Sequence, residues 1–154
     1  MTTTMFETRP RKARRIAVAA AVVLIAVFAV VGTLLRQTPT GVYFRLSDQV
    51  AMVVLGVLLA GGALMFARPR VRAGADGVEV RNLIGTRTLP WDLVRRVSFP
   101  DGAPWARIEL PDDEYIAVMA IQSADGRHAV QAIRALRAVH AEYTSPRDDA
   151  SRDR

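Results

Sequence analysis

The sequence predicts an α+β protein. A two-helix transmembrane hairpin comes first, then a small bent β-barrel or sharply bent sheet of about six to seven short strands, capped by a C-terminal α-helix. Three observations predict it. Two long uncharged apolar runs occupy residues 16–67. Period-two alternation, broken by Gly, Pro and Asp, fills residues 70–119. One Ala-rich stretch with helical spacing follows it.

The totals narrow the function classes. Of 154 residues, 51% are hydrophobic but only 6% aromatic, so the excess is aliphatic and sits in the two runs. A net charge of +6 suggests nucleic acid, but its distribution argues against that partner. Between Arg70 and Tyr143 ten arginines face ten carboxylates, and the surplus lies beside the apolar runs. The absence of Cys excludes disulfides, thiolate nucleophiles and Cys-based metal centres.

Residues 1–15 read as a basic tail carrying Arg9, Arg11, Lys12, Arg14 and Arg15. Ile16–Leu35 is twenty residues without a charge. As a helix it spans about 30 Å, the thickness of a hydrocarbon core. Its twelve Val, Ile, Leu and Phe residues favour insertion by about 5 kcal/mol. A cleaved signal peptide is the rival reading. The run exceeds the usual length, no Ala-x-Ala follows, and a second run comes fourteen residues later, so a retained span is expected. Pro39 and Gly41 separate the runs. Val50–Ala67 is eighteen residues with three glycines, a weaker span. Arg68, Arg70 and Arg72 follow it, whereas the connecting loop holds only Arg36 and Arg45. Positive charge therefore places both termini in the cytoplasm of a multi-pass cell-membrane protein. Gly56, Ala60, Ala63 and Ala67 share one helical face. That face suits close packing on the chain's own first span, with homo-oligomerisation as the alternative.

Residues 68–143 read as one module. Val71 and Ala73 lead to a turn at Ala75-Asp76-Gly77, and Val78 and Val80 then alternate with Glu79 and Arg81. A turn at Ile84-Gly85 precedes a strand over Thr86–Leu89, which Pro90 ends because it has no N–H to donate. Trp91–Val94 reads as a single helical turn. Arg96–Phe99, Trp105–Leu110 and Glu114–Met119 read as further strands. Ala124–Tyr143 is an amphipathic helix, with Ser123 or Asp125 as N-cap. Ala129, Ile133, Leu136, His140 and Tyr143 form its apolar face. Residues 144–154 read as a polar, disordered tail.

The stretch "DGVEVRNLIGTRTLPWDLVRRVSF" and the later "WARIEL" resemble the bacterial PH domain family, in its actinobacterial low molecular weight protein antigen 6 branch. Asp76-Gly77-Val78, Val80-Arg81-Asn82-Leu83, Gly85, Arg87, Pro90-Trp91-Asp92 and Trp105-Ala106-Arg107 carry the likeness. It implies a PH-like bent β-barrel plugged by the terminal helix, and no catalytic residues. Gly77, Gly85, Pro90, Trp91, Asp92 and Trp105 are its structural signature. Independently, Trp91 suits burial at a strand end, and Asp92 could accept a backbone N–H in the short turn.

No enzyme constellation emerges. His128 and His140 have no ligand partner at helical spacing, and His140 falls on the apolar face. Asp112, Asp113 and Glu114 cluster on a hairpin tip and read as a solvated turn. No nucleophile elbow or P-loop is present, and no cofactor or metal is expected. Arg68, Arg70 and Arg72 are candidate contacts for anionic headgroups of membrane lipids. The expectation is an integral membrane protein presenting a cytoplasmic PH-like domain for protein interaction or scaffolding, through its sheet edge and barrel mouth. The alternative is an anionic-lipid-sensing module.

Overall fold

A computed structural model describes residues 4–37 and 45–144. It divides into two compact units, one holding residues 11–68 and the other the residues before and after them.

The first unit is two helices, α1 (Arg11–Gln37) and α2 (Leu46–Met65). The Asp48 carboxylate accepts the Arg45 N–H at 2.9 Å, which closes the start of α2. The Pro39 and Gly41 breakers lie outside the described residues. Small residues set the helix contact: Ala17, Ala21 and Gly32 of α1 and Gly56 and Ala60 of α2 are buried. A Cβ on Gly56 would stand 2.7 Å from the Phe28 Cβ, so glycine is what lets the backbones approach. Of the small-residue face predicted on the second span, Gly56 and Ala60 are buried in this contact and Ala63 is partly exposed. Ala67 falls past the end of α2, in the following turn. Large apolar side chains such as Val22, Val23, Leu34 and Leu58 are exposed on both helices. Each helix is long and apolar enough to cross a membrane.

The second unit has two antiparallel sheets and a helix. β1 (Thr4–Thr8), β2 (Arg70–Gly74), β3 (Gly77–Arg81) and β4 (Thr86–Leu89) form the first sheet, in that order. β5 (Arg96–Ser98), β6 (Trp105–Glu109) and β7 (Tyr115–Gln122) form the second, and α3 (Arg127–Thr144) follows. Every strand expected between residues 70 and 119 is present, and Trp91–Leu93 is a 3-10 turn.

Two expectations are corrected. The sheets do not close into a barrel. The basic tail is not a tail: Thr4–Thr8 is a strand with Glu7 opposite Arg72, and α1 starts at Arg11 rather than Ile16. This strand was hidden because it is short and separated by the whole of α1 and α2 from the strand it pairs with. Ser123 and Asp125, the expected caps, lie just ahead of α3. They occupy a 3-10 turn, and Val130 N–H bonds to the carbonyl of Gly126, whose φ is +53°. The expected tail begins beyond Thr144, outside the described residues.

Alternation builds the core. Val71, Val78, Val80, Ile108, Val118 and Leu136 are fully buried, contributed by both sheets and by α3. On α3 the buried residues are Ala129, Ala132, Ile133, Leu136 and Val139, while Arg127, Gln131, Arg134 and Glu142 face outward.

Candidate interaction surface

Trp91 holds the junction between the first sheet and α3. Its ring is 7% exposed, and its Nε1–H donates to the Gly74 carbonyl at 2.8 Å. The Tyr143 ring stacks parallel to it at 6.3 Å and the His140 ring tilts against it at 5.5 Å. His140 Nε2 reaches the Val94 carbonyl at 2.9 Å, so this histidine is a bonded packing residue. His128 Nε2 lies 3.3 Å from both Thr8 Oγ1 and the Arg9 carbonyl, at the end of β1.

The signature residues divide in two. Gly77 has φ +136°, and a Cβ there would stand 2.1 Å from the Leu89 carbonyl oxygen, so glycine is obligatory. Trp91 is buried as expected, and Pro90 leads into the 3-10 turn. Gly85 meets nothing within 4 Å and has ordinary φ, so its turn requires no glycine. Asp92 is exposed and makes no side-chain bond among the described residues, because the short turn satisfies its own backbone. Trp105 is half-buried at the start of β6.

Of the three arginines expected on headgroups, two are engaged on the sheet. Arg72 Nε donates to Glu7 at 2.7 Å and Arg70 pairs with Glu79 at 3.1 Å, both across neighbouring strands. The Arg72 hydrogen bond holds the Glu7 carboxyl below its ordinary pKa. Arg68 belongs to the other unit. On the second sheet Arg96 grips Glu109 with two bonds of 3.0 Å, and these lower the Glu109 pKa. Asp112 and Asp113 are exposed at positive φ, 59° and 58°, in the turn before β7.

The sheet edges are treated unequally. Beside β5, Arg137 Nε of α3 donates to the Val97 carbonyl at 2.8 Å. On β7 the Asn82 amide acts as a fragment of strand. Its Nδ2 donates to the Ala117 carbonyl at 2.8 Å, and its Oδ1 accepts the Met119 N–H at 3.2 Å. Next to this contact opens a groove of about 400 Å³, lined mainly by Val80, Leu83, Ile84, Tyr115, Ile116 and Met119. Arg87 also lines it, and Ile84 is 95% exposed. A smaller, polar cavity of about 290 Å³ lies between Arg95, Arg107 and the Asp113-Glu114 turn, where the Arg107 guanidinium sits 4.4 Å over the Tyr115 ring. No group of three or more metal-ligating side chains occurs among the described residues.

Sequence reasoning missed Glu7, Asn82 and Arg137 as bonding residues. Nothing local marks them, since each acts on a segment at least 35 positions away.

Comparison with known proteins agrees with this architecture. The Bacterial PH domain family model matches residues 68–138. The chain is 49% identical over 135 residues to the uncharacterized protein Rv1417 of Mycobacterium tuberculosis, covering 88% of each chain. The uncharacterized protein Mb1452 of Mycobacterium bovis matches with the same identity and coverage. No solved structure matches. No enzymatic family is indicated. With the family model covering β2 to β7 and most of α3, and relatives matching along nearly the whole length, the chain belongs to the bacterial PH domain family.

Proposed function

We propose that this protein is a membrane-anchored adaptor, whose PH-like unit is displayed at the cytoplasmic face to bind another protein or scaffold an assembly. One observation carries the reading. β1 ends at Thr8, β2 begins at Arg70, and the two are adjacent in one sheet. The chain therefore leaves this unit and returns to it after two apolar helices, as a membrane hairpin entered and left from one side requires. The basic residues that begin α1 and follow α2 favour the cytoplasmic side. The lipid-sensing alternative is weaker, because Glu79 and Glu7 already engage Arg70 and Arg72.

The test is photo-crosslinking of the full chain in native membranes, compared with a chain ended after Arg68. Neighbours lost on truncation support an adaptor. Neighbours unchanged by it sink the proposal. Single cysteines in the connection between α1 and α2 and at Glu114 report sidedness, against a Cys-free background.

A further inference from the structure

The second sheet leaves part of one edge open. Leu110 N–H bonds to the Glu114 carbonyl, and the β6–β7 register continues as Ile108↔Ile116 and Ala106↔Val118. In an antiparallel ladder, bonded and non-bonded pairs alternate. Ile116 and Val118 therefore direct their N–H and C=O groups at β6, while Tyr115, Ala117 and Met119 direct theirs away from it. Asn82 takes the Ala117 carbonyl and the Met119 N–H, and Gln122 Nε2 donates to the Met119 carbonyl. Of the outward groups of Tyr115, Ala117 and Met119, three remain: the Tyr115 N–H, the Tyr115 carbonyl and the Ala117 N–H. None bonds to another described residue.

These groups border the 400 Å³ groove, whose walls carry Ile84, Leu83 and Met119. A leucine-sized side chain exposed to 95%, as Ile84 is, has no packing role in the isolated chain. Arg87 lines the same groove and makes no ion pair with another described residue. The β5 and β4 edges offer less. α3 takes the Val97 carbonyl on β5, and Thr86, Arg87 and Thr88 of β4 are all exposed, with no apolar wall formed by that strand.

We propose that the outer edge of β7 at Tyr115 and Ala117 is a strand-addition site. It takes a short extended segment of a partner protein, with an apolar side chain in the groove beside Ile84 and Met119 and a carboxylate on Arg87. The open N–H and C=O groups call for an extended backbone, the walls call for an apolar side chain, and the unpaired guanidinium calls for an acid. Asn82 ends the open edge, so the segment is short. This deepens the adaptor reading and rests on it.

The test uses the full chain in lipid nanodiscs and a panel of acetylated five-residue peptides alternating Val, Leu or Phe with Glu. Amide and methyl NMR spectra are the readout. The expected result is binding that shifts Ile84, Tyr115 and Ala117. Ile84→Asp and Arg87→Glu, both at exposed positions, are each expected to weaken it about tenfold. Ala117→Pro removes an N–H that the β6 ladder does not use, and it is expected to do the same. Replacing Glu by Lys in the peptides weakens binding to the natural chain and restores it to Arg87→Glu. No binding by any panel member at millimolar concentration overturns the site. So does binding that ignores both exposed substitutions, or shifts confined to the β4 edge. Crosslinked neighbours retained by Ile84→Asp would remove this site and leave the adaptor standing, whereas neighbours unchanged by truncation after Arg68 remove the adaptor itself.

Discussion

Replacing Trp91 by Ala and by Phe separates two contributions to the joint between the first sheet and α3. The ring is 7% exposed and meets His140 and Tyr143. Truncation to Ala is expected to cost about 3–5 kcal/mol, the range for a large buried aromatic. Phenylalanine keeps most of the ring but leaves the Gly74 carbonyl without its 2.8 Å donor. That acceptor is worth about 1–3 kcal/mol when stranded, so Phe should fall between the natural chain and Ala. A small domain holds about 5–15 kcal/mol in total, so the Ala variant is expected to be marginal. Urea unfolding in detergent micelles, followed by Trp105 fluorescence and far-ultraviolet circular dichroism, gives the numbers. Amide exchange should rise in parallel at Val139–Tyr143, because those residues pack through this ring. A loss below about 1 kcal/mol for Ala would refute the reasoning, since it lies well under the range for a buried aromatic cut to Ala. A Phe variant as stable as the natural chain would remove the hydrogen bond from the account.

Other substitutions test the remaining joints. Gly77→Ala is expected to unfold the unit or cost several kcal/mol, since its Cβ would lie 2.1 Å from the Leu89 oxygen at φ +136°. Gly85→Ala is expected to be neutral or to stabilise by about 0.4–1 kcal/mol, and thermal melts of the pair check the contrast. Gly56→Leu should separate α1 from α2, because even a Cβ there approaches Phe28 to 2.7 Å, whereas Gly61→Ala meets nothing within 4 Å. Heat-induced loss of helicity in nanodiscs should drop only for the first. Glu7 has a folded pKa below its ordinary value of 4.5, so its contribution is present above that pH and fades as pH falls through the lower folded value. Urea midpoints measured at pH 6 and stepwise below pH 4.5 should decline less steeply in Glu7→Gln than in the natural chain.

What the sequence made legible follows the range of the interactions involved. The apolar runs, the alternating strands from Val71 onward and the face of α3 are local patterns with fixed periods, so a single chain reveals them. The Gly77 requirement was also readable, because Asp-Gly between alternating runs is a turn signal. Gly85 sits in an equally suggestive context yet needs no special backbone, since composition marks the turn but not its φ. β1 was missed because its partner lies beyond two apolar helices, and a five-residue strand carries little pattern of its own. The ion pairs of Arg70 and Arg72 were hidden for the same reason. Their proximity to an apolar run was visible, but Glu7 opposite Arg72 was not.

The unclosed barrel has a physical basis in the same long-range contacts. An open sheet edge invites unwanted pairing, and closure is one way to remove it. Here side chains do part of that work. Arg137 takes a carbonyl of β5, Asn82 takes one carbonyl and one N–H of β7, and β1 covers the outer side of β2. Each device is specific to a few backbone groups, so protection can stop partway along a strand, as it does at Tyr115. Closing the barrel would have covered that stretch as well. The proposed adaptor needs one edge that remains available, and the stretch of β7 between Asn82 and the Asp112-Asp113 turn would meet that need without exposing a whole strand.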